Sequence, residues 1–343
     1  MKISIINDTH FGARNDHQLF LDHFLSFFEN QFFPYLKENN IKTIFHLGDF
    51  FDRRKYINFH TLNEVRKKFL DVLVSNKIQM HMLVGNHDTY YKNTNTLNSI
   101  DQILSEYSSN ILYSLDPIVK TFDSTIFAFI PWICEENKEK VLQFIQNTPA
   151  DILCGHLELN GYEVMRGIKH IGGMDDDVFK KFKMVLSGHF HNKSSKGNIK
   201  YLGTQYQITY SDLDDIKGFH IFDTEDDSIS FIENKNNMFY SISTDDIISD
   251  YSFLKDKFVK ILVSKNTERS KVDSMINTIE LHNPYEMSVI EDFSIDDLEK
   301  KAVDLSKDTI TIISEEIDSL ELDIDKNFLK KISNEIYLEA LDQ

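Results

Sequence analysis

Five short stretches each end an apolar, strand-like run on residues able to ligate a metal ion. Ile3-Ser4-Ile5-Ile6-Asn7 runs into Asp8-Thr9-His10, and Thr43-Ile44-Phe45-His46-Leu47 into Gly48-Asp49-Phe50-Phe51-Asp52. Met80-His81-Met82-Leu83-Val84 leads to Gly85-Asn86-His87-Asp88, Asp151-Ile152-Leu153-Cys154 to Gly155-His156, and Met184-Val185-Leu186-Ser187 to Gly188-His189-Phe190-His191. Carboxylate and imidazole ligands brought from separate strands can surround two cations roughly 3.5–4 Å apart, the wiring of a two-metal hydrolase. Asp49 can bridge such a pair, because a carboxylate has two oxygens. Imidazoles and carboxylates without thiolates suit Mn²⁺, Fe²⁺ or Zn²⁺ better than a purely oxygen-seeking ion. Mn²⁺ is the expected ion, with Mg²⁺, Fe²⁺ and Zn²⁺ as alternatives. His87 directly follows Asn86, so it would stand beside the cations without binding them, where a general acid for a leaving alkoxide belongs. Asp88 beside it could orient the ring.

Each motif alone is weak, since thirteen histidines leave room for several with no role. Five in order, each after a strand, would need five coincidences. The elements that position them follow from periodicity. Residues 2–7, 41–47 and 78–84 read as strands, and 16–39 and 58–76 between them as helices, with Phe20, Phe24, Phe27 and Phe28 on one helical face. Strands over 111–114, 118–122 and 125–130 and a helix over 136–147 complete an α/β pattern. Strand ends then gather on one edge of a sheet, and a glycine before the ligand lets the backbone turn tightly. After His191 the strands 199–203, 217–223, 228–232 and 238–242 suggest a second sheet packed on the first. A strand (258–264), a helix (267–282) and a strand (286–291) form a candidate small β-α-β domain. In the acidic tail, Phe328, Leu329, Ile332, Ile336 and Ala340 make an apolar stripe at helical spacing.

The 343 residues suffice for one large domain and a smaller one. No apolar run approaches the roughly 18 residues of a membrane span, and the amino-terminal residues lack a signal-peptide pattern. Cys134 and Cys154 make no disulfide framework, and both read as inert core residues of a protein in reducing cytoplasm. The net charge of −18 argues against holding nucleic acid by bulk electrostatics. It does not exclude a metal-dependent nuclease, because two dications add charge at the site and a partner can supply the rest.

The motif order, together with Gly48-Asp49-Phe50-Phe51-Asp52-Arg53-Arg54-Lys55, Ile130-Pro131-Trp132-Ile133-Cys134-Glu135-Glu136-Asn137, Gly155-His156-Leu157-Glu158-Leu159-Asn160-Gly161 and Tyr201-Leu202-Gly203-Thr204 followed by Lys217-Gly218-Phe219, resembles the calcineurin-like metallophosphoesterase superfamily. Within it the chain is similar to the SbcD-type DNA repair nucleases, including those of T4-like phages. The likeness covers nearly the whole chain, is specific through residue 223 and is weaker in the tail. It implies an α/β fold of two mixed sheets packed face to face and flanked by helices, with a small α+β capping domain and C-terminal helices. The expected boundaries are 1–244 for the nuclease domain, 245–293 for the cap and 294–343 for a linker and ATPase-binding tail.

Carried over residue by residue, the resemblance implies that Asp8, His10, Asp49 and His191 hold one metal and Asp49, Asn86, His156 and His189 the other. It makes His87 the transition-state acid in hydroxide attack on a DNA phosphodiester. Its implied partners are DNA and an SbcC-like coiled-coil ATPase bound through the C-terminal helices, with a homodimer inside a two-plus-two complex. The dimer surface would use 58–76 and 95–107, where Leu97, Ile100 and Leu104 form an apolar face, although periodicity alone favours ordinary core packing slightly over a dimer contact there. Arg53, Arg54 and Lys55 follow a ligand loop and Arg166 and Lys169 lie between two ligand motifs; each is either a DNA-backbone contact or a solvated surface charge. The implied location is cytoplasmic, that of the host if phage-encoded, with no membrane association. Two rival readings stay open: a phosphatase or small phosphodiesterase of the same superfamily, and a non-catalytic scaffold for the ATPase.

Overall fold

The computed structural model describes residues 1–293 except 166 and 214, together with Ile317, Lys326, Lys330 and Ser333. Two six-stranded mixed sheets form its centre. In the first, the strand order is Ser228–Glu233, Gly218–Asp223, Lys2–Ile6, Thr43–His46, Gln79–Met82 and Ile111–Tyr113. In the second it is Ser194–Lys196, Ile199–Tyr201, Met184–Gly188, Ile152–His156, Thr125–Ile130 and Ile118–Phe122. Period-two alternation assigns the two faces of each strand. Ile3, Ile5, Phe45 and Leu47 meet Phe127, Phe129, Ile152, Cys154 and Leu186 between the sheets, whereas Ile6 and Ile44 face the helices. With both faces covered, these strands carry nearly unbroken apolar runs.

Helix Gln18–Phe27 continues through a π-helical turn, Phe28–Phe32, into Phe33–Glu38. Phe20, Phe24, Phe27 and Phe28 are all buried against the first sheet, as their spacing predicts. Each such side chain contributes on the order of 1.5–3 kcal/mol. Phe24 also stacks on Tyr206 at 3.8 Å, and the Tyr206 hydroxyl donates to the Thr9 carbonyl at 2.6 Å, so this core anchors the first ligand loop. Helix Lys138–Asn147 covers the outer face of the second sheet through Val141 and Ile145. Ile100 and Leu104 are buried in the helix-side core, while Leu97 remains partly exposed. Most of that stripe is therefore internal packing.

The strand-rich stretch after His191 does not build a sheet of its own. Ile199–Tyr201 joins the second sheet, and Gly218–Asp223 with Ser228–Glu233 extends the first sheet antiparallel to Lys2–Ile6. Phe239–Ser243 instead pairs in parallel with Phe258–Ser264, which pairs with Glu286–Phe293. The small sheet thus reaches back across residue 244, because its first strand finds its hydrogen-bond partner there. Helix Arg269–Glu280 buries Val272 and Ile279 against this sheet, giving the expected β-α-β unit. The unit packs on the larger one where Phe20 meets Phe239 and Phe258 at 5.9 and 5.4 Å. No helix among the described residues is long and apolar enough to cross a membrane. Arg166 and the apolar stripe at Phe328, Leu329, Ile332 and Ile336 lie outside the described residues.

Candidate metal centre

The ligand loops lie at the strand ends of both sheets, where the two meet face to face, and not along one edge of a single sheet. Lys2–Ile6, Thr43–His46 and Gln79–Met82 deliver three of them, and Ile152–His156 and Met184–Gly188 the other two. Backbone bonds zip the first two loops together: Asp8 N–H to Gly48 O at 2.9 Å, His10 N–H to Asp49 O at 3.2 Å and Phe11 N–H to Phe50 O at 3.0 Å. Asp8, His10, Asp49 and His189 all have positive φ, at 49°, 42°, 57° and 87°. Such backbone costs roughly 1–3 kcal/mol per residue and gathers where function demands it. Of the glycines that precede ligands, only Gly48 uses a left-handed φ, of 97°. Gly85 is required for space, since a Cβ there would run into the Asp49 carboxylate.

Two groups of donor atoms gather the expected ligands, each with its members within 4.8 Å: Asp8, His10 and His191, and Asp49, His156 and His189. His10 Nε2 faces His191 Nε2 at 3.0 Å. Asn86 Oδ1 lies 2.9 Å from His156 Nε2 and 3.0 Å from His189 Nδ1, which adds it to the second group. Asp49 Oδ2 stands between the groups, 3.3 Å from His156 Nε2 and 3.8 Å from His10 Nε2. Neighbouring ligands of an octahedral ion with bonds of about 2.1 Å stand about 3 Å apart. The spacing and chemistry of these donors fit one divalent ion per group, with Asp49 able to serve both. His156 Nδ1 donates to Leu47 O at 2.7 Å, which turns Nε2 toward the site. Asn7 Nδ2 donates to Asp8 Oδ2 at 2.5 Å and to Gly203 O at 2.9 Å, steadying that carboxylate.

Electrostatics separates His10 and His156 from the core histidines, whereas burial and then the neighbouring His10 bring His191 down to about 4, into the core range. Burial pushes His23, His46 and His220 down to about 3 and His81 to about 4. Burial also opposes charge on His10 and His156, but carboxylates outweigh it: Asp52, Asp49 and Asp8 push His10 up to about 9, and Asp49 does the same for His156. Burial and neighbouring histidines hold His189 well below its ordinary value. At neutral pH the metal-free site therefore carries protons that a cation must displace. Mn²⁺ affinity should rise from pH 6 to about 9, and calorimetry in buffers of different ionisation heat should show proton release. The same protons favour the folded metal-free chain most below 6.5, and that contribution fades as the pH rises through 9.

His87 stands beside both groups, and with Asp52 it forms a third close set around His10. Its backbone N–H donates to Asp49 Oδ1 at 2.7 Å, and its Nδ1–H to Asp52 O at 2.5 Å. Nε2 is the nitrogen left to face a substrate. Asp88 does not orient this ring, contrary to the sequence expectation. Its buried carboxylate accepts the N–H groups of Asp49 at 2.8 Å, Phe50 at 3.0 Å and Gly85 at 2.8 Å. It is a staple for two ligand loops. Its pKa rises to about 7, through burial first and then the Asp49 charge. Arg53 is also committed inside the chain, bonding Asp16 at 2.9 Å and Asn15 at 2.6 Å. Arg54 is half-buried with Nη1 3.5 Å from Thr89 Oγ1, while Lys55 is exposed.

Sequence reasoning missed the role of Asp52, whose Oδ1 lies 3.4 Å from His10 Nδ1 and whose carbonyl holds His87. Its place three residues after Asp49 was the available signal. It also missed Trp132, the single tryptophan, whose ring lies 5.2 Å from that of His189. No local pattern marks that contact.

Comparison with known proteins agrees with this geometry. Residues 1–193 match the family model described as calcineurin-like phosphoesterase. Exonuclease subunit 1 of Enterobacteria phage T4 is 31% identical over 346 aligned residues, covering 99% of each chain. The SbcD subunit of the SbcCD nuclease of Staphylococcus epidermidis is 23% identical over 255 residues, covering 67% of each. The chain belongs to the calcineurin-like phosphoesterase family, as a hydrolase of phosphate esters that works with divalent metal ions.

Proposed function

We propose that the chain is the nuclease subunit of a DNA recombination and repair complex, cleaving phosphodiesters with two metal ions, Mn²⁺ foremost. The observation that carries this reading is the pair of donor groups sharing Asp49, with His87 beside both. Asp8, His10, Asp49 and His191 hold one ion, and Asp49, Asn86, His156 and His189 the other. Bound cations supply positive charge against the phosphoryl oxygens and a water acidic enough to attack at neutral pH. His87, its Nδ1–H committed to the Asp52 carbonyl, hands the proton on Nε2 to the leaving sugar oxygen. Asp52 also keeps the His10 ring in place for its ion. The matched relatives, both named as exonuclease or nuclease subunits, support DNA as the substrate.

The phosphatase reading needs the arginine of the Gly-Asp-x-x-Asp-Arg motif to grip a phosphate. Arg53 occupies that place and is bound to Asp16 and Asn15 instead, which favours the nuclease reading. Cleavage of linear duplex DNA and dephosphorylation of a phosphopeptide, compared in Mn²⁺, test the choice. Faster turnover of the peptide would reverse it.

The net charge of −18 leaves DNA retention to a partner, in our reading an SbcC-like ATPase in a two-plus-two assembly. The small unit, expected over 245–293 and extended back to Phe239 by its first strand, serves as a cap beside the site, and the sequence stripe at 328–340 as the ATPase-docking segment. Removing the residues after 323 should leave Mn²⁺-dependent cleavage within about twofold and weaken ATPase binding by at least about tenfold. Co-sedimentation with the ATPase reads this out, and unchanged binding would sink the docking role.

A further inference from the structure

A buried hydrogen-bond chain runs from the first strand of the small unit to His191. The N–H groups of Met238 and Phe239 donate to Gln207 Oε1 at 2.9 and 2.8 Å. Gln207 Nε2 donates to the carbonyls of Asp212 and Leu213, each at 3.1 Å. The Asp212 carboxylate accepts N–H bonds from Ile208 and Thr209, both at 2.9 Å, and pairs with Lys217 Nζ at 2.9 Å. Lys217 Nζ donates in turn to the His191 carbonyl at 2.8 Å and to Asp215 at 2.9 Å. Gln207, Asp212 and Lys217 are exposed by only 1%, 1% and 2%.

A buried ammonium survives only where charge and hydrogen bonds replace its water. Asp212 and Asp215 supply the charge. The third donor goes to the peptide of a candidate ligand, which also receives the Thr204 N–H at 3.0 Å. Two donors on one carbonyl fix that peptide in a loop where His189 already holds a φ of 87°. The His191 ring, aimed at His10 Nε2 from 3.0 Å, takes its direction from that peptide.

We propose that Lys217 is a positioning residue that clamps His191 in the Asp8–His10 group, and that Asp212 and Gln207 couple this clamp to the seating of the Phe239–Ser243 strand. The coupling is reciprocal: an ion held by His191 steadies the small unit, and a displaced small unit loosens that ion. The inference rests on the two-cation reading above.

The double variant D212N/K217M tests it, because it removes the ammonium without stranding the fully buried carboxylate. Mn²⁺ titrations followed by paramagnetic resonance should show an exchange-coupled ion pair in the wild-type chain. In the variant one ion should bind about as before and the other about 10–100-fold more weakly, the usual effect of losing an outer partner of a metal ligand. The coupled signal should give way to that of single ions. A folded variant with wild-type affinity for both ions and an intact coupled signal would overturn the proposal. A second measurement needs no variant. Mn²⁺ should slow amide exchange at Met238 and Phe239 of the wild-type chain, and unchanged exchange there would refute the coupling. A wild-type chain that binds a single ion removes the two-cation reading itself, whereas a wild-type pair untouched by the double variant removes only the clamp.

Discussion

Asp49→Ala should abolish binding of both ions and lower DNA cleavage by more than about 10³-fold, since losing a single preorganised electrostatic donor already costs about 10²–10³. The reason is position. Asp49 Oδ2 lies 3.3 Å from His156 Nε2 and 3.8 Å from His10 Nε2, so one oxygen serves both donor groups. Its other oxygen accepts the His87 N–H at 2.7 Å, so the truncation also frees the general-acid loop. Asp88 remains to hold the Asp49 and Phe50 N–H groups, and the fold should survive. Trp132, with its ring 5.2 Å from His189, should report ion binding through its fluorescence. A Mn²⁺ titration of the variant with near wild-type fluorescence change and affinity would refute the bridging role.

His87→Ala is the converse case, expected to keep both ions and slow cleavage by roughly 10²–10⁴-fold. No donor atom of either Asp49-linked group comes from His87, and its Nδ1 is occupied by the Asp52 carbonyl at 2.5 Å. The loss should fall on kcat, because proton transfer to the leaving oxygen matters only in the transition state. It should also depend on the leaving group. A nitrophenyl ester leaves without a proton, so the variant should hydrolyse bis-nitrophenyl phosphate at close to the wild-type rate. Equal losses on DNA and on that ester would remove His87 from the role of acid. Together the two variants separate ion holding from proton delivery, and a scaffold without chemistry would have no cleavage for either to lower.

The sequence by itself determined the residues and order of the five ligand loops, since strand periodicity and ligand chemistry are both local properties. A strand shows its period over a few residues, and a side-chain ligand must carry an oxygen, nitrogen or sulfur donor whatever surrounds it. It also displayed the parallel β-α-β unit, whose strand–helix–strand pattern lies within 258–293. Tertiary structure decided what depends on partners far along the chain. Asp88 is adjacent to His87, yet its carboxylate turns to Asp49 and Phe50, because three buried N–H groups there had no other acceptor. Arg53 reads as a basic residue free to meet DNA until Asp16, 37 positions away, is seen beside it. The strands after His191 carry no mark of which sheet they join. Gly218–Asp223 pairs with Lys2–Ile6 and Phe239–Ser243 with Phe258–Ser264 because edge hydrogen bonds are satisfied by whichever strand the packed core brings alongside. Lys217 was visible as a residue type, but its three acceptors, one of them the carbonyl of His191, exist only once the chain has closed around them.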